Sequence, residues 1–332
     1  MAVLNQLKRL GIKEYMSRTF HELKKFGLSE FTVHLLAEIG VIDYKRVYES
    51  RCKNYYYKLR ESDYEKELRE WYAIRGGNDN FDDPQTFNGK IQWLKIHDYM
   101  PIKTKLSDKY LVREWIKEKI GEKYLIELLG VYDNFEEINF EELPKKFVIK
   151  ANHGSGMIIV VKDKASLDLK QARKEVTRWM NTVFGYDGME IQYFQIPRKI
   201  LIEKYVEQMD GGLFDYKIYC FNGKPTYVQL IGDRDFNRHC AHEAFFDVDW
   251  NIMPFHHKYP LFEREIEKPE NLNELITVAK KLSEGFKYVR VDLYIIAGDI
   301  KFGEMTFTPS NGLGAWNPVE ADYELGKMIE LY

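Results

Sequence analysis

The stretch formed by residues 288–314 constrains the fold more than any other part of the chain. Two runs of apolar, β-branched and aromatic residues flank Ala297, Gly298 and Asp299, which have the composition of a hairpin turn. Short apolar runs separated by turn residues predict two antiparallel strands. The C-terminal part of the chain is therefore expected to contain a β-hairpin.

Four polar side chains interrupt the apolar runs of this hairpin. Because side chains alternate between the two faces of a strand, Arg290 and Asp292 share one face, and so do Glu304 and Thr306. If the turn is centred on Gly298, Asp292 lies opposite Glu304, with Cβ atoms about 5 Å apart. Two carboxylates that close repel each other unless a proton or a cation lies between them, and such an oxygen pair suits Mg²⁺. A two-residue turn would shift the register and break the pairing, and a surface hairpin with solvated charges is the alternative.

The composition suits a folded chain of about two domains, since 45% of the 332 residues are apolar. The 49 basic and 52 acidic residues give a net charge of −3, so we expect no nucleic-acid partner. Three cysteines without C-x-x-C spacing indicate a reducing compartment. Because the sequence has neither an apolar run of about 18 residues nor a secretion signal, we expect a cytoplasmic protein.

Residues 1–82 are predicted to form a helical N-terminal arm. Apolar residues recur at three- to four-residue steps between Leu4 and Phe26, and lysines and arginines make this first helix basic. Such a helix suits a peripheral contact with the membrane surface or with a protein partner. The alternative, which we prefer, is a helix packed on the protein's own core with a solvated basic face.

Two lysines stand where anions are commonly bound. Lys109 belongs to a lysine cluster at the start of a helix predicted to run from residue 107 or 108 to 120. Such a cluster could bind a phosphate, and a solvated cationic patch is the alternative. Lys150 ends a predicted strand, and the glycine-rich residues 151–157 join it to the next strand. Such a loop lays backbone N–H groups over phosphates, with Lys150 as a point charge. An ordinary hairpin loop is the alternative.

An acidic residue in the apolar strand at residues 200–206 requires a partner. Burying Glu203 costs free energy unless a donor pairs with it. The exocyclic amine of adenine or Lys150 would serve, and a salt bridge to Lys204 or Arg198 is the simpler alternative.

A second hairpin is predicted around Asn222 and Gly223, the strongest short turn signal. Asp215 and Lys217 share a face of its first strand, and Arg234 follows its second. The polar face of this hairpin therefore carries both an acid and bases.

Two further patterns could bind metals. His239-x-x-His242 has no second ligand pair of the kind that zinc sites use. Asp247-x-Asp249 resembles the acidic pair that holds a metal on a sugar nucleotide, although such a pair is usually only a turn. It keeps a metal-dependent glycosyltransferase open as an alternative function.

Six segments in this order resemble the TupA-like ATP-grasp family, named for teichuronopeptide biosynthesis. The resemblance extends over about residues 83–331, and Gly89 stands where the family's F-N-E-K run has Glu. The segments are P-x-T-F-N-x-K-I-Q-W-L-K (84–95), T-K-L-S-D-K-Y-x-V-R (104–113), K-A-N-H-G-S-G (150–156), I-L-I-E-K-Y (200–205), D-Y-K-I-Y-C-F-N-G (215–223) and F-G-E-M-T-F-T-P-S-N-G (302–312).

The resemblance implies an α+β fold, the ATP-grasp fold, in which two α+β lobes clasp ATP. An N-terminal α/β domain and the extra helical arm would precede the lobes. The expected divisions are 1–82 for the arm, 83–143 for the N-terminal domain, 144–206 for the small lobe with its glycine loop, and 207–332 for the large lobe with its Mg²⁺ site.

The resemblance also implies roles for individual residues, with ATP and Mg²⁺ as cofactors. Asp292 and Glu304 would hold Mg²⁺ with Thr306, which stands where many ATP-grasp enzymes have Asn. Arg290 would face the reacting carbonyl and Arg234 the acceptor. The nucleotide would contact Lys109, Lys150, the loop residues His153, Gly154, Ser155, Gly156 and Met157, the adenine-side residues Glu203, Lys204 and Tyr205, and Asp215 or Lys217.

The function implied is carboxylate–amine ligation. A substrate carboxylate would take the γ-phosphate of ATP to give an acyl phosphate, and an amine would then displace the phosphate to form an amide. By resemblance, the partners are an amino acid and a sugar or uronic acid of a capsular or other surface polysaccharide.

Overall fold

The computed structural model describes most of the chain from residue 59 onward, so the basic first helix predicted for the arm lies outside the described residues. The described ranges are 59–77, 79–182, 184–186, 188–206, 212–235 and 240–332. No helix in these ranges is both long and apolar enough to cross a bilayer.

Seven α-helices and nine strands make up the regular elements of these ranges. In chain order they are α1 (Tyr64–Ile74), α2 (Phe87–His97), α3 (Pro101–Ser107), α4 (Val112–Lys119), β1 (Leu128–Tyr132), β2 (Phe147–Ala151), β3 (Ile158–Val161), α5 (Leu169–Asn181), β4 (Ile200–Lys204), β5 (Asp215–Phe221), β6 (Lys224–Asp235), β7 (Cys240–Asp247), α6 (Leu272–Ser283), β8 (Tyr288–Ile296), β9 (Asp299–Thr306) and α7 (Glu320–Lys327).

The small lobe is built on a four-stranded antiparallel sheet in the order β1-β4-β2-β3. Its apolar face packs with α5 in one core cluster, which includes Phe147, Val176 and Ile202. Strand β1 comes from the range expected to form a separate N-terminal α/β domain, yet it pairs with β4. Residues 83–143 therefore contribute helices α2 to α4 and one strand of the small lobe, and they form no sheet of their own.

The large lobe is built on a five-stranded antiparallel sheet in the order β7-β6-β5-β8-β9. Because side chains alternate along each strand, one face is apolar: Ile218, Val289 and Val291 are fully buried there and pack with α6. The opposite face carries the polar residues of the two predicted hairpins. Elsewhere on that face, Tyr219 and Phe245 pack with α2 and α7 in a second core cluster, so only its polar part is available for a site.

The β8–β9 hairpin turns through two residues, and a bulge then corrects its register. Ala297 and Gly298 have φ values of 51° and 88°, as the tightest hairpin turns require. Leu293 pairs with Phe302, but Asp292 pairs with Glu304, so Gly303 is an extra residue. The expectation that a two-residue turn would break the carboxylate pairing is therefore wrong, because the bulge at Gly303 restores it.

The helix predicted to run from residue 107 or 108 to 120 corresponds to α4 alone, which begins only at Val112, while α3 is a separate helix that ends at Ser107. Asp108 lies between them in extended backbone, and its carboxylate accepts hydrogen bonds from the N–H groups of Tyr110 and Leu111. Pro101 starts α3, as the fixed φ of proline favours. Lys109 consequently lies in a turn between the two helices rather than inside one.

Helix α2 fixes the chain that follows the β8–β9 hairpin. Asn88 donates to the carbonyl of Gly314 and to the carboxylate of Asp322, and Gln92 donates to the carbonyls of Asn311 and Gly312. The family-like segment 84–95 therefore has a structural task, which is to hold the loop after β9.

Gly89, in the first turn of α2, leaves room for a carboxylate. A Cβ atom at this position would lie 2.0 Å from Asp79 Oδ2. Asp79 accepts from the N–H groups of Gln85 and Thr86, and Thr86 in turn caps α2 by accepting from the Gly89 N–H. Glycine at position 89 is thus matched to the way this helix begins.

Candidate active site

A cleft of about 920 Å³ separates the two sheets and is lined from both lobes. Its lining contains six cationic side chains and only four carboxylates, which gives it a positive balance suited to a polyphosphate. The cations are Lys109, Arg113, Lys150, Lys162, Lys217 and Arg234, and the carboxylates are Glu203, Asp215, Asp292 and Glu304.

On the small lobe, Glu203 is held by two cations. Lys150 Nζ lies 2.6 Å from its Oε2, and Arg113 NH1 lies 3.5 Å from its Oε1. Of the partners considered from the sequence, Lys150 is therefore the one observed. Lys204 instead pairs with Glu127 at 2.9 Å in an exposed position, and Arg198 donates to the carbonyl of Met180.

Two residues predicted beside Glu203 do not line the cleft. Lys204 uses its backbone N–H to donate to the carbonyl of Glu127. The ring of Tyr205 lies 5.3 Å from the ammonium of Lys146. The predicted role of Lys204 and Tyr205 was a backbone contact beside adenine, and it stays a prediction.

The glycine loop, residues 152–157, enters the cleft through its second half. Gly154, Ser155, Gly156 and Met157 all line the cleft. Lys109 Nζ donates to the carbonyl of Gly154 at 2.7 Å and lies 3.5 Å from Glu304 Oε2. Lys109 thus links the loop to the large lobe across the cleft.

His153 is buried behind the loop instead of covering the cleft. Its ring nitrogens lie 3.3 Å from Asn152 Oδ1 and 3.1 Å from the carbonyl oxygen of Trp179. Burial lowers the pKa of His153 from 6.5 to about 4, so the ring is neutral at pH 7. The His153 side chain thus fixes the base of the loop through its hydrogen bonds, and the predicted covering of phosphates by residues 153–157 stays a prediction.

On the large lobe, Asp292 and Glu304 lie side by side with cations around them. Arg290 donates two hydrogen bonds of 2.6 and 2.8 Å to Asp292. Lys217, which pairs with Asp292 across strands β5 and β8, also contacts the Asp292 carboxylate. Arg290 NH2 lies 3.5 Å from Glu304 Oε1. The repulsion expected between the two carboxylates is thus relieved by side chains of the chain itself.

Glu304 is ionised at any ordinary pH. Burial alone would raise the pKa of its carboxyl, but the positive charges of Lys109, Lys217 and Arg290 outweigh this effect and lower the pKa to about 2. Its carboxylate lines the cleft, and its side chain is about a third exposed, at 36%. Glu304 is therefore an accessible carboxylate that carries its negative charge at neutral pH.

The donor set at this position fits Mg²⁺, which prefers one or two carboxylates together with water and phosphate oxygens. Asp292 and Glu304 are adjacent, and both line the cleft. Thr306 does not line it, because its hydroxyl accepts from Arg290 at 3.1 Å and donates to Glu304 at 3.2 Å. Its observed contacts therefore orient Glu304.

Asp215 and Arg234 form a contact at the far end of the same face. Both residues line the cleft. Burial alone would lower the pKa of Arg234, but the negative charge of Asp215 outweighs this effect and raises the pKa. Arg290, by contrast, is only 9% exposed and lies beneath the cleft surface. The structure thus brings Arg234 to the surface of the cleft and keeps Arg290 within its floor.

The described residues of the two other metal patterns, Asp247, Asp249 and His242, do not line this cleft. Asp247 accepts from the N–H groups of Asp249 and Asn251 and from the Asn251 side chain, which is the hydrogen bonding of a turn. His239 falls outside the described residues, while His242 pairs with Asp233. Within the described part of the chain, no cluster of three or more potential metal ligands from His, Cys, Asp and Glu is found.

Arg113 is a cleft residue that sequence reasoning did not single out. It ends the segment T-K-L-S-D-K-Y-x-V-R, lies beside Glu203, and donates to the carbonyl of Ile126 at 2.7 Å. Its position in a motif that also supplies Lys109 was the available signal. Tyr294 and Phe302 also line the cleft, and they lie on the strands that carry Asp292 and Glu304.

A family model described as TupA-like ATPgrasp matches residues 89–330. The match extends over well more than half of the chain and includes every cleft residue named above. The chain belongs to the TupA-like ATP-grasp family. This membership confirms the predicted family and the α+β ATP-grasp fold, and it places the protein in an enzyme superfamily of ATP-dependent ligases.

Comparison with solved structures finds distant likenesses to several ligases. D-alanine–D-alanine ligase from Bacillus anthracis is 19% identical, with 72% of this chain and 67% of that chain covered and a TM-score of 0.39. L-amino acid ligase from Bacillus licheniformis is 12% identical, with 76% and 57% covered and a TM-score of 0.43. The ATP-grasp ligase PsnB, complexed with minimal precursor, Mg and ADP, is 13% identical, with 75% and 66% covered and a TM-score of 0.36.

The chain thus spans between 57% and 67% of the length of these three solved proteins. A comparison with curated proteins finds no match.

Proposed function

We propose that this protein is an ATP-dependent carboxylate–amine ligase that forms an amide through an acyl phosphate. The observation that carries the proposal is the pairing of Asp292 and Glu304 on one face of the cleft, opposite the glycine loop. Lys109 connects these two parts by contacting both Gly154 and Glu304. A cleft with these features suits a nucleoside triphosphate held by cations and a metal.

Nucleotide binding is proposed to proceed by an exchange of ion-pair partners. Lys150 is paired with Glu203, Lys109 with Glu304, and Lys217 with Asp292. When the triphosphate enters, the lysines would turn to its oxygens, since a flexible ammonium is an effective phosphate ligand. Glu203 would then accept from the adenine amine, and Asp215 would face the ribose or a phosphate.

Mg²⁺ is proposed to be held by Asp292 and Glu304. When bound, the ion would neutralise charge on the phosphate oxygens. Thr306 would orient Glu304 rather than act as a ligand, because its hydroxyl already bridges Arg290 and Glu304. Lys217 would leave Asp292 as the phosphates arrive.

The chain's own residues would carry the remaining steps. Lys109, Lys150 and Lys217 would balance the charge that develops as the substrate carboxylate attacks the γ-phosphate and ADP leaves. The amine would attack the acyl carbon, and inorganic phosphate would leave. Arg290 is proposed to stabilise the oxyanion, and Arg234, at the cleft surface, to orient the acceptor.

The substrates are proposed to be an amino acid and a sugar or uronic acid of a capsular or other surface polysaccharide. The family's namesake pathway, teichuronopeptide biosynthesis, supports this assignment, and the positive lining of the cleft suits substrates that carry carboxylates. A cytoplasmic location is part of the same proposal, and a peripheral membrane contact through the basic residues between Leu4 and Phe26 is the less favoured alternative.

Thermal shifts with Mg-ADP, Mg-ATP and several UDP-sugars test the proposal, on the wild-type protein and on Asp292→Asn. Stabilisation by adenine nucleotides, weakened in the variant, is the expected result. Asp247→Asn serves as the matched control, since Asp247 lies in a turn outside the cleft and should leave that stabilisation unchanged. Stabilisation by UDP-sugars alone, lost in Asp247→Asn, would overturn the ligase assignment in favour of a glycosyltransferase.

A further inference from the structure

The segment between α5 and β4 connects the parts of the site, although it has little regular structure. We name residues 184–186 and 188–199 the strap. A single 3-10 turn, Ile191–Tyr193, is its one regular element among the described residues. The strap nevertheless contains buried polar side chains, which burial makes costly unless they have partners.

The first attachment of the strap is a buried polar triad. Thr308, two residues beyond the end of β9, donates its hydroxyl to Glu190 Oε1 at 2.5 Å and accepts from Gln192 Nε2 at 2.9 Å. All three residues are at least nine-tenths buried. Because the hydroxyl is used both as donor and as acceptor, its orientation is fixed from two sides.

The second attachment joins the strap to helices α1 and α2. Lys95 on α2 donates to the carbonyl of Gly188 at 2.8 Å and also contacts the loop after β9 through Asn311. The rings of Tyr186 and Phe194 stack with centroids 4.0 Å apart, in a core cluster that contains Trp71 of α1. The middle of the strap is therefore part of a core cluster.

The third attachment is to the glycine loop, at both ends of the strap. A Cβ atom on Gly154 would lie 3.0 Å from the ring of Phe184, so this ring packs directly on the loop. At the other end, Asn152 accepts from the Lys199 N–H at 2.7 Å and donates to the carbonyl of Pro197 at 2.7 Å. The loop that faces the phosphates is thus held by the strap and not only by its own strands.

Between these attachments, Tyr193 packs on the ring that contacts the glycine loop. Its ring lies against Phe184, with centroids 4.9 Å apart. Burial, together with the negative charges of Glu190 and Glu304, raises the pKa of Tyr193 well above its usual value. The Tyr193–Phe184 pair therefore packs the strap against the glycine loop.

We propose that the strap sets the position of the glycine loop against the β8–β9 hairpin, and that Glu190, Gln192 and Thr308 are positioning residues of the ligase. This inference rests on the proposed nucleotide and Mg²⁺ site. Phosphates held by the loop and a metal held by the hairpin meet only if the two parts are correctly spaced, and small misplacements in such sites have large effects. The triad attaches the strap to the chain that follows β9, so it supports this spacing alongside the direct contact of Lys109 with Gly154 and Glu304.

The test is the gain in ADP affinity that Mg²⁺ confers, measured by calorimetry with Mg²⁺ and with EDTA. Thr308→Val keeps the shape but removes both hydrogen bonds, and it should reduce this gain about tenfold, since hydrogen bonds to charged groups are strong. ADP affinity in EDTA should stay within about twofold, because the glycine loop itself is intact. Thr308→Ser retains the hydroxyl and should restore the gain.

Ser283→Ala is the matched control. Ser283 is a fully buried hydroxyl on α6 that donates to the carbonyl of Lys280, on the opposite side of the large sheet. It should leave the Mg²⁺-dependent gain unchanged even where it lowers the thermal midpoint. A loss of stability alone is therefore separated from a loss of alignment.

The inference is overturned if Thr308→Val keeps the wild-type gain, or if Thr308→Ser loses as much as Thr308→Val. If Thr308→Val does not fold, Gln192→Leu decides: it breaks one of the two bonds and should reduce the gain about threefold, as loss of a neutral hydrogen bond would. An unchanged gain in that variant would reject the role of the triad. Failure of the wild type to bind ADP is a different result and would reject the proposed function itself.

Discussion

Two hairpins face each other across the cleft, and they use the chain in opposite ways. In the β8–β9 hairpin, side chains face the cleft: Asp292 and Glu304 line it, and the backbone only sets their register. In the β2–β3 hairpin, the tip of the glycine loop lines the cleft with residues 154–156, while Asn152 and His153 are buried behind it. The β8–β9 hairpin thus presents carboxylates to the cleft, whereas the tip of the glycine loop presents mainly its main chain.

The difference explains how each hairpin depends on its glycines. Gly303 is needed because an extra residue must fit beside Tyr294 and the Asp292 carbonyl. In the glycine loop, Gly156 adopts a φ of 72°, which favours glycine. The first glycine serves the placement of a neighbouring side chain, and the second allows the main chain itself to approach a ligand.

The largest expected effect comes from a substitution in the β8–β9 hairpin. Glu304→Gln keeps the shape but removes the charge that Lys109, Lys217 and Arg290 stabilise. If Glu304 holds the metal, ADP formation should fall about a thousandfold, since a metal supplies several kcal/mol of stabilisation. The measurement is ADP release with mixtures of amino acids and uronic acids as acceptors.

Asp299→Asn is the control for this experiment, because Asp299 lies on the same hairpin but its side chain is 78% exposed. It should retain full activity. Turnover by Glu304→Gln close to that of wild type would remove Glu304 from the metal site.

The second expected effect concerns the bulge that aligns the carboxylates. A Cβ atom at Gly303 would lie 2.8 Å from the Tyr294 ring and 3.0 Å from the Asp292 carbonyl oxygen. Gly303→Ala should lower the free energy of unfolding by about 2 kcal/mol, as overpacking does, and should displace Glu304 from Asp292. Mn²⁺ binding in the presence of ADP, followed by electron paramagnetic resonance, should weaken about thirtyfold, since misaligned groups lose much of their effect.

Gly298→Ala provides the comparison within the same hairpin. Gly298 has a φ of 88°, but nothing lies within 4 Å of an added Cβ atom, so only backbone strain of about 1 kcal/mol is expected. Mn²⁺ binding should be unchanged in this variant. Equal losses of Mn²⁺ affinity in both variants would show that the bulge has no special part in the site.

The β8–β9 hairpin could be predicted well, because its strands and turn are encoded by residues that are close together in the sequence. Alternation alone places Arg290 with Asp292 and Glu304 with Thr306, and the predicted pairing of Asp292 with Glu304 is found in the structure. The bulge could not be foreseen, because it depends on how Gly303 fits against Tyr294. The Lys217–Asp292 pair was also not foreseen, since the pairing of β5 with β8 joins residues far apart in sequence.

The glycine loop shows the limit of motif reading. The segment K-A-N-H-G-S-G predicted a loop between strands at the cleft, and the structure has it there. The direction of each side chain did not follow, because it is decided by Trp179 and by residues of the strap. The buried triad of Glu190, Gln192 and Thr308 escaped notice for the same reason, since an irregular segment has no periodicity to read.

The third prediction tests whether inward side chains hold the glycine loop. The pKa of His153 is about 4 in the folded protein against 6.5 ordinarily, so between these values only the unfolded chain binds the proton. The stabilisation is therefore complete above pH 6.5 and is lost as the pH falls toward 4. Between pH 7 and 4.5, His153 should account for a loss of about 2 kcal/mol.

The measurement is chemical denaturation of wild type and His153→Gln across that range, since glutamine keeps an N–H donor but does not titrate. Subtracting the two curves cancels His257, whose pKa burial also lowers to about 4, because it is present in both proteins. Parallel curves for the two proteins would contradict a buried neutral His153. Glu304, with a pKa of about 2, stays ionised throughout, so the acid loss belongs to the glycine loop and not to the opposite hairpin.

The smallest expected effect is the one that separates backbone from side-chain binding most directly. Ser155 is exposed in the loop and lines the cleft. If the loop binds phosphates through N–H groups, Ser155→Ala keeps every main-chain donor and should change ADP affinity by less than about threefold. Losing one hydrogen bond to a charged group typically costs more. Ser155→Pro removes the N–H itself and should weaken ADP binding about tenfold, as loss of such a bond predicts.

Calorimetry of both variants decides whether the N–H group or the hydroxyl of Ser155 binds the phosphate. A large loss of affinity in Ser155→Ala, matched by Ser155→Pro, would mean that the hydroxyl is the ligand. The two hairpins would then both work through side chains, and the contrast between them would no longer hold.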